Sequence, residues 1–391
     1  MFAVLRTTRN LLLRLGALSA ALWLASCDTG AIGGGGPTIN TNAPVPVALL
    51  VPGGAGNTGD EFLARGLRQA AELAISDLQG VNIDLRVYNT GGDPAQAVAV
   101  ATQAVADGAK IILGPVFAES ANAVGHAVAA AGINVLSFSN NTDIAGGNVF
   151  VLGPTFPNTA NRLVDYAVQT GKKRIVVVSE QTAAGEAGAR ALASAIARAG
   201  ATSAGNFTYS FSQEGVINAI PAIAARGKSG EVDAIFMTAD TSGSLSYLTQ
   251  LLPEQGVDRS LVQFIGLTRW DIPPSTLALP GVQGGWFALP DPGLNGQFAA
   301  RYQAAFNEPP HPISGLAYDG IAAIGALVQA GNADALTASA LTQGAGFVGV
   351  NGIFRLLADG TNERGLAVAE VRNNQVIVLD PAPRSFGGAG F

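Results

Sequence analysis

The sequence predicts an α/β protein with two runs of parallel strands, and three observations lead to this fold class. Short apolar segments alternate with helical patterns from Val47 onward, and such alternation produces parallel sheets with helices on both faces. The predicted strands form two runs, one ending near Leu152 and one over about residues 174–265, with Gly153-Pro154-Thr155 as a crossing between them. Apolar residues make up 48% of the 391 residues and charged residues only 13%, so the chain can bury sizeable cores.

The first run opens with a buried strand at Val47–Val51 and continues with a helix over 60–78. The apolar side chains of this helix recur at the spacing of one helical face. The next strand, 83–88, is followed by Asp93-Pro94, which is typical of an N-cap with proline at the first helical position. The remaining strands are predicted at 110–113, 135–138, 149–152, 175–178, 234–237, 262–265, 347–356, 366–372 and 375–379.

The acidic balance of the chain argues against nucleic-acid binding. The sequence carries 22 Lys and Arg against 28 Asp and Glu, a formal net charge of −6. Arg6, Arg9 and Arg14 lie in the segment that export would remove, which leaves 19 basic residues (22 minus 3) and a net charge of −9 (19 minus 28). Because neutralising phosphates takes clustered Lys and Arg, we expect no nucleic-acid partner.

The first residues have the features of a bacterial lipoprotein signal. An arginine-containing start precedes the apolar run 11–25, which is shorter than the roughly twenty residues that cross a bilayer and typical of a secretory signal. The run ends in Leu24-Ala25-Ser26-Cys27, which resembles the lipobox cut by the lipoprotein signal peptidase. Cys27 is the only cysteine, and a lone cysteine in an exported chain is a free thiol or a modified one. We predict a signal peptide over 1–26 and lipidation of Cys27.

The segment that follows has almost nothing to bury. Residues 27–46 are rich in Gly, Thr, Asn and Pro and are predicted to form a flexible tether. The protein is therefore expected in the periplasm, held to the cell membrane through its lipid. Asp28 resembles the inner-membrane retention signal of enteric lipoproteins, and the choice between inner and outer membrane stays open.

Several segments resemble the leucine-type branch of periplasmic binding proteins. Those of the first half read GLRQAAELAISDL (66–78), DLRVYNTGGDPAQAV (84–98), IILGPVFAESANAV (111–124) and NVLSFSNN (134–141). Those of the second half read GVQGGWFALPDP (281–292) and GLAYDGIAAIGAL (315–327). With Cys27 and the Trp-Asp-Ile-Pro-Pro stretch at 270–274, the chain is most similar to the C-terminal module of lipoproteins that activate penicillin-binding proteins.

The resemblance implies the type I periplasmic binding protein fold, in which two Rossmann-like lobes are joined by three crossings and hold a ligand between them. The predicted lobes are 47–152 plus 287–345 (first lobe) and 156–282 plus 347–380 (second lobe), with a tail over 381–391. The crossings are predicted near 153–155, 281–290 and 344–350.

In open parallel sheets, ligands bind outside the carboxyl ends of the strands. The loop Ser137–Thr142 is the most polar one there, and its hydroxyls and amides could bind a small polar ligand, although Ser and Asn also favour turns for local reasons. The candidate ligand-binding residues are Asn57, Phe117, Ser120, Ser137, Ser139, Asn140, Asn141, Thr182, Asp240, Thr241, Arg269 and Trp270.

Two glycine-containing loops allow more than one interpretation. Gly54–Gly59 reads G-x-G-x-x-G after a strand, the pattern of dinucleotide-binding loops. Asn89-Thr90-Gly91 stand where its acidic partner should be, which favours a tight turn lining the cleft. Gly114–Ser120 begins a helix whose free N–H groups suit a carboxylate, whereas Glu119 could satisfy the helix dipole itself.

Departures from the family that the chain resembles bear on the ligand class. Its amino-acid-binding members place a serine hydroxyl about where Ala118 stands, and a Tyr-Gly pair where Ala184-Gly185 stand. Their acidic partner for the ligand ammonium has its nearest counterpart in Asp240, which could instead cap the helix that follows. Weak or absent binding of α-amino acids is therefore expected.

No catalytic constellation stands out, and we predict a binding protein that is not an enzyme and uses no cofactor or metal. His126 and His311 are the only histidines and lack metal-ligand spacing, and no Gly-x-Ser-x-Gly elbow is present.

The predicted function is capture of a small polar solute for an ABC transporter, with the transporter permease as partner. The alternative is regulation of peptidoglycan synthesis through contact with a penicillin-binding protein.

Overall fold

The computed structural model describes residues 37–386. The predicted signal peptide, the lipidation site Cys27 and the first part of the predicted tether lie outside these residues, as does the end of the predicted tail, 387–391. Within residues 37–386, no helix has the length and apolar character that a membrane crossing requires.

The first lobe is built on a five-stranded parallel sheet of order β2-β1-β3-β4-β5. Side chains of β1 alternate between two buried clusters, with Val47 and Leu49 on one face and Ala48 and Leu50 on the other. Both faces are therefore covered, as parallel sheets require. The elements are Val45–Val51 (β1), Thr58–Asp77 (α1), Ile83–Asn89 (β2), Pro94–Ala106 (α2), Ile111–Leu113 (β3), Ala118–Val128 (α3), Val135–Ser137 (β4) and Val149–Val151 (β5).

The second lobe is built on a seven-stranded sheet of order β15-β14-β10-β9-β8-β6-β7. Its strands from β6 to β10 pair in parallel, whereas β14 runs antiparallel to β10 and β15. The strands are Arg174–Glu180 (β6), Thr202–Tyr209 (β7), Ala234–Met237 (β8), Gln263–Gly266 (β9), Trp286–Leu289 (β10), Ala367–Arg372 (β14) and Gln375–Asp380 (β15). The helices of this lobe are Phe156–Gln169 (α4), Ala183–Arg198 (α5), Gln213–Gly227 (α6) and Leu245–Glu254 (α7).

A small antiparallel sheet of order β11-β12-β13 completes the first lobe. Phe347, Phe354 and Leu356 from this sheet are buried in the first-lobe core together with Leu316. The remaining elements are Pro292–Phe306 (α8), Gly315–Gln329 (α9), Ala338–Leu341 (α10), Phe347–Gly349 (β11), Gly352–Leu356 (β12) and Asn362–Arg364 (β13). The two-lobed α/β architecture predicted from the sequence is confirmed.

The predicted lobe boundaries need correction. Strand β10, which was expected to return the chain to the first lobe, pairs in parallel with β9 of the second. Residues 347–364, predicted to enter the second lobe, form the small sheet, because β11 packs its apolar side against α9 of the first lobe.

The folded body also starts before the predicted end of the tether. The Ile39 side chain is buried in the first-lobe core, and its N–H donates to the Ala333 carbonyl at 2.8 Å. Strand β1 begins at Val45, two residues earlier than predicted. A single apolar side chain among polar neighbours is enough to dock this stretch, since its burial removes the residue from water.

Three segments cross between the lobes, at 152–155, 290–291 and 365–366. The second and third therefore lie further along the chain than the predicted 281–290 and 344–350. The first and third crossings are joined by hydrogen bonds. Asn362 Nδ2 donates to the carbonyls of Val151 and Gly153, at 2.7 and 2.9 Å, and Arg364 Nε donates to the Leu152 carbonyl at 2.9 Å.

The tail leads from the second lobe back to the first. Just after β15, Arg162 of α4 donates to the Pro381 carbonyl at 3.2 Å, and Ala382 is buried in the second-lobe core. The Phe386 ring then packs under the Arg355 guanidinium of β12, 4.7 Å from the ring centre. Residues 381–386 therefore contact both lobes.

Candidate functional site

A cavity of about 260 Å³ lies between the lobes, beside the three crossings. It is reached by the loops after β4 and β5 of the first lobe and after β9 and β10 of the second, at the carboxyl ends of the strands, where open parallel sheets bind ligands. Its lining is mostly apolar and consists of Asn140, Pro154, Thr155, Phe156, Thr159, Leu267, Thr268, Arg269, Ile272, Ala288, Leu289, Pro290, Pro312, Ile313, Leu316, Asn351, Arg364 and Leu366.

Two predicted residues bring polar groups to this cavity, one from each lobe. The Asn140 side chain is exposed. Arg269 is held by Asp271, whose two carboxylate oxygens accept from Nε at 2.8 Å and from Nη2. Arg269 Nη1 makes no hydrogen bond within the described part of the chain, so its two N–H groups can donate to a ligand. Because Asp271 balances the charge of Arg269, these donors do not demand an anionic ligand.

The rest of the polar loop around Asn140 is engaged in turn hydrogen bonds. Ser137 Oγ donates to the Pro115 carbonyl at 3.0 Å and accepts from the Ser139 N–H at 3.1 Å. Ser139 Oγ accepts from the Asn141 N–H at 3.1 Å, and Asn141 Oδ1 accepts from the Asp143 N–H at 2.9 Å. These side chains shape the loop that presents Asn140.

Phe117 and Ser120 lie elsewhere, in a second cavity of about 480 Å³. This cavity is formed by the loop after β2 and the start of α3, and its lining includes Asp60 and Glu119. Ser120 is 1% exposed, and its Oγ has no hydrogen-bond partner within residues 37–386. Two carboxylates beside the first turn of α3 disfavour an anion there. The structure therefore argues against a ligand carboxylate binding to the free N–H groups of this helix.

Asn57 and Thr182 serve as helix caps. Asn57 Oδ1 accepts from the Gly59 N–H at 2.9 Å, and Thr182 Oγ1 accepts from the Gly185 N–H at 3.0 Å. The Gly54 N–H of the G-x-G-x-x-G loop donates to Glu61 Oε1 at 2.7 Å. An amide that a dinucleotide phosphate would use is thus taken by a carboxylate, which favours the tight-turn interpretation.

Trp270 and Thr241 stabilise the second lobe from positions away from the cavity lining. Trp270 is fully buried in the core of this lobe. Its ring fills the space over Gly266 and Gly285, where an added Cβ would come within 2.1 and 2.0 Å of ring atoms. Thr241 Oγ1 donates to the Ile272 carbonyl at 2.8 Å. The aromatic residue predicted to touch the ligand therefore sets the spacing of β9 and β10.

Glu180, at the end of β6, is a buried acidic residue that was absent from the predicted site. It is 7% exposed. Its Oε1 accepts from Thr182 Oγ1 at 3.5 Å, and its Oε2 has no hydrogen-bond partner among the described residues. Burial raises the pKa of the Glu180 carboxyl, and the nearby negative charge of Asp240 raises this pKa further. A carboxylate that closely follows the apolar run 175–178 of a strand is the signal that could have revealed it.

Tyr209 and Asp240 lie beside Glu180, at the ends of the neighbouring strands. The Tyr209 side chain is 3% exposed, and its hydroxyl faces Glu180 and Ser244 without a hydrogen bond of standard geometry to any described residue. Burial raises the pKa of Tyr209 to about 12. Asp240 Oδ1 accepts from the Ser242 N–H at 3.0 Å. The strand order β8-β6-β7 therefore brings three oxygen-bearing side chains to one edge.

Comparison with known proteins agrees with this architecture. A family model described as periplasmic binding protein matches residues 44–375. No curated protein matches the sequence significantly.

Solved structures share the fold at low sequence identity. A branched-chain amino acid ABC transporter periplasmic ligand-binding protein from Burkholderia xenovorans is 17% identical, with a TM-score of 0.71 over 88% of this chain and 97% of that one. An ABC transporter substrate-binding protein from Desulfitobacterium hafniense, in complex with Leu, is 18% identical, with a TM-score of 0.64 over 86% of this chain and 100% of that one. A solute-binding protein from R. palustris, in complex with benzoate, is 19% identical, with a TM-score of 0.59 over 89% of this chain and 99% of that one.

Proposed function

The chain belongs to the periplasmic binding protein family, and we propose that it captures a small solute between its lobes and delivers it to an ABC-type transporter. The observation that carries this proposal is the cavity of about 260 Å³, which both lobes line. Ligand pockets in proteins are commonly about 300–1,000 Å³, apolar, and carry a few placed polar groups. The volume and lining therefore suit a small solute.

The lining favours a solute with an apolar body and a polar end. Phe156, Leu289 and Ile313 offer apolar surface, while Asn140 and Arg269 offer hydrogen bonds. Proteins of the same fold have been solved with leucine and with benzoate. Benzoate, an apolar ring with one charged end, is therefore a reasonable first compound to test, and leucine is the comparison compound that is expected to bind weakly.

Solute released from the purified protein, identified by mass spectrometry, tests the proposal. The lobes are expected to close on that solute as rigid bodies about the crossings, with a smaller radius of gyration in small-angle scattering. Ile313→Trp, which would fill the cavity, should abolish binding and compaction. Ile217→Trp, at a position on α6 that is 43% exposed, is the matched control. If the Ile313→Trp variant binds and compacts like the wild type, the solute does not occupy this cavity.

We also propose that the mature protein is anchored in the periplasm through a lipid on Cys27. The support is the lipobox-like Leu24-Ala25-Ser26-Cys27 at the end of a short apolar run. The similarity to activators of penicillin-binding proteins stays a prediction, because no observation within the described residues favours that role over solute binding. No enzymatic activity is proposed.

A further inference from the structure

We propose that the protein has a second small-molecule site, for a neutral sugar, in a cavity of about 490 Å³ beside the third crossing. This hinge cavity is lined by α4, the last residue of α5, residues 363–366 and the segment 380–386. Both lobes contribute to it, and its volume lies in the range of about 300–1,000 Å³ that is common for ligand pockets. The site is additional to the solute cavity proposed above.

Helix α4 presents one polar face to the hinge cavity. The residues that line it recur at the spacing of a single helical face and are Asn158, Asn161, Arg162, Asp165 and Gln169. The first turn of the same helix supplies Phe156 and Thr159 to the cavity in the cleft. One helix therefore contributes to two separate cavities.

Two ion pairs leave donors and acceptors side by side in the hinge cavity. Arg162 Nη2 donates to Asp380 Oδ2 at 2.8 Å. Arg198 Nη2 donates to Asp165 Oδ1 at 2.7 Å. Nη1 of both arginines and the second oxygen of both carboxylates make no hydrogen bond within residues 37–386. Because a hydroxyl both donates and accepts, a molecule with several neighbouring hydroxyls can use both kinds of group.

The charge of the lining favours a neutral ligand. Three arginine and three acidic side chains line the hinge cavity, and each of them forms an ion pair. An anion would therefore meet carboxylates, and a cation would meet guanidinium groups, and like charges brought together in a binding site are unfavourable. A hydroxyl-rich neutral molecule avoids both contacts.

The remaining lining is apolar and suits the carbon face of a sugar ring. It consists of Leu366, Pro381, Pro383 and Phe386. These residues come from the third crossing and the tail, whereas the helices α4 and α5 supply polar groups. A sugar ring has the same division, since its hydroxyls lie at the edge and its C–H groups form apolar faces. A pocket with apolar surface and a few placed polar groups is typical of small-molecule sites.

Arg364 lines both the hinge cavity and the cavity in the cleft. Its Nε donates to the Leu152 carbonyl at 2.9 Å, and its Nη1 donates to Asp319 Oδ2 at 3.1 Å. Because these contacts hold the guanidinium in place, it acts as a wall between the two cavities. A sugar in the hinge cavity and a solute in the cleft can therefore be bound at the same time.

Titration of the protein with sugars, followed by ligand-observed NMR and calorimetry, tests the inference. The probes are D-glucose, D-galactose, D-mannose, the methyl glycoside of each and inorganic phosphate. We expect at least one sugar to bind with a dissociation constant of about a millimolar or smaller, and phosphate not to bind. A methyl glycoside that binds as well as its parent sugar indicates a sugar unit of a longer glycan, and one that does not bind indicates a free sugar. Either result supports the site.

Four variants locate the bound sugar. Arg198→Met removes donors at an exposed position and should weaken binding about tenfold or more, because hydrogen bonds to charged groups are the stronger ones. Gln169→Trp, at an exposed position on α4, should narrow the cavity and weaken binding as well. Arg190→Met, exposed on α5 and outside the cavity, is the matched control. Ile313→Trp, which fills the cavity in the cleft, should bind the sugar like the wild type.

The inference is overturned if no sugar binds at concentrations up to about 10 mM, or if phosphate binds in preference to the sugars. Sugar binding that survives both Arg198→Met and Gln169→Trp unchanged would also overturn it. Loss of sugar binding in Ile313→Trp would assign the sugar to the cleft instead. Failure of the proposed function looks different, because it appears as binding of the released solute that Ile313→Trp does not affect.

Discussion

The Asp319 carboxylate and the Arg364 guanidinium form an ion pair of 3.1 Å in which the two side chains are 0% and 3% exposed. Asp319 lies on α9 of the first lobe and Arg364 on β13, next to the third crossing. Asp319 also accepts from the Val350 N–H at 2.8 Å and from Asn351 Nδ2 at 3.0 Å. Because Arg364 donates to the Leu152 carbonyl as well, one buried network joins α9 to the first and third crossings.

Breaking this pair should destabilise the protein strongly. Asp319→Asn or Arg364→Met would leave the other charge buried without its partner, and the free energy of unfolding should fall by about 3–5 kcal/mol. Chemical denaturation measures it. Arg68→Ala removes a helix-surface pair with Glu72, in which both side chains are 49% exposed, and should cost about 0.5 kcal/mol or less. Equal losses in the two experiments would contradict the role given to the network.

Two neighbouring asparagines should separate ligand contact from loop structure. Asn140→Ala removes a side chain that lines the cavity and should weaken solute binding by about 1 kcal/mol, the net value of a typical hydrogen bond, with little effect on stability. Asn141→Ala removes the acceptor for the Asp143 N–H and should lower the melting temperature more than the affinity. Calorimetry and thermal unfolding of both variants give the comparison. The reverse pattern would mean that Asn141 contacts the solute directly.

Branched-chain amino acids should bind weakly or not at all. Ala118 and Ala184 offer no hydroxyl where the amino-acid-binding members of the family place a serine and a tyrosine. Dissociation constants for leucine, isoleucine and valine should be about a millimolar or larger, which corresponds to a binding free energy of about −4 kcal/mol or a weaker one. Micromolar binding in calorimetry would restore amino-acid transport as the function.

Glu180 should make stability depend on pH in one direction. Its carboxyl pKa is raised above the ordinary value of 4.5 by burial and by Asp240, so the folded state binds the proton more tightly than the unfolded chain. The stability from this group is present below pH 4.5 and is lost as pH rises through the folded pKa. The free energy of unfolding of Glu180→Gln should therefore increase relative to that of the wild type as pH rises from 4.5. Urea unfolding at several pH values checks this, and a constant difference between the two proteins would refute it.

Cys27→Ser should release the protein from membranes, because the cysteine thiol alone accepts the lipid. Membrane anchoring of this kind depends on the acyl chains, and the variant carries none. It should therefore move from the detergent phase to the aqueous phase in Triton X-114 partitioning. Asp28→Asn keeps the thiol and should partition like the wild type. A Cys27→Ser variant that stays in the detergent phase would disprove the lipobox interpretation.

The fold could be predicted because alternating apolar strands and helices leave few arrangements. The lobe boundaries could not, since β11 and β12 are short apolar segments whose patterns do not say which sheet they join. Only packing against α9 assigns Phe347 and Phe354 to the first lobe.

The candidate site was harder to predict than the fold. Asn140 and Arg269 line the cavity as the strand-end rule suggests. The hydroxyls of Ser137 and Ser139 could form hydrogen bonds with a ligand, but in the structure they form hydrogen bonds within the loop. The sequence around Trp270 does not show whether this residue lines the cleft or lies in the core. Its ring packs over Gly266 and Gly285, which belong to other strands or loops, so this packing is visible only in the structure. Glu180 could not be predicted from the strand-end rule, because that rule points to the loops after the strands and this residue is the last one of a strand.

The docking of Ile39 in the first-lobe core and of Phe386 on Arg355 has a practical consequence for fluorescence work. Dyes attached at Thr38 and Ser385 would both move with the first lobe, so energy transfer between them would stay constant during closure. A dye moved to Arg190, exposed on α5, would report the second lobe instead. The pair Thr38 and Arg190 can therefore report the rate of closure, and the pair Thr38 and Ser385 serves as the reference whose distance stays constant.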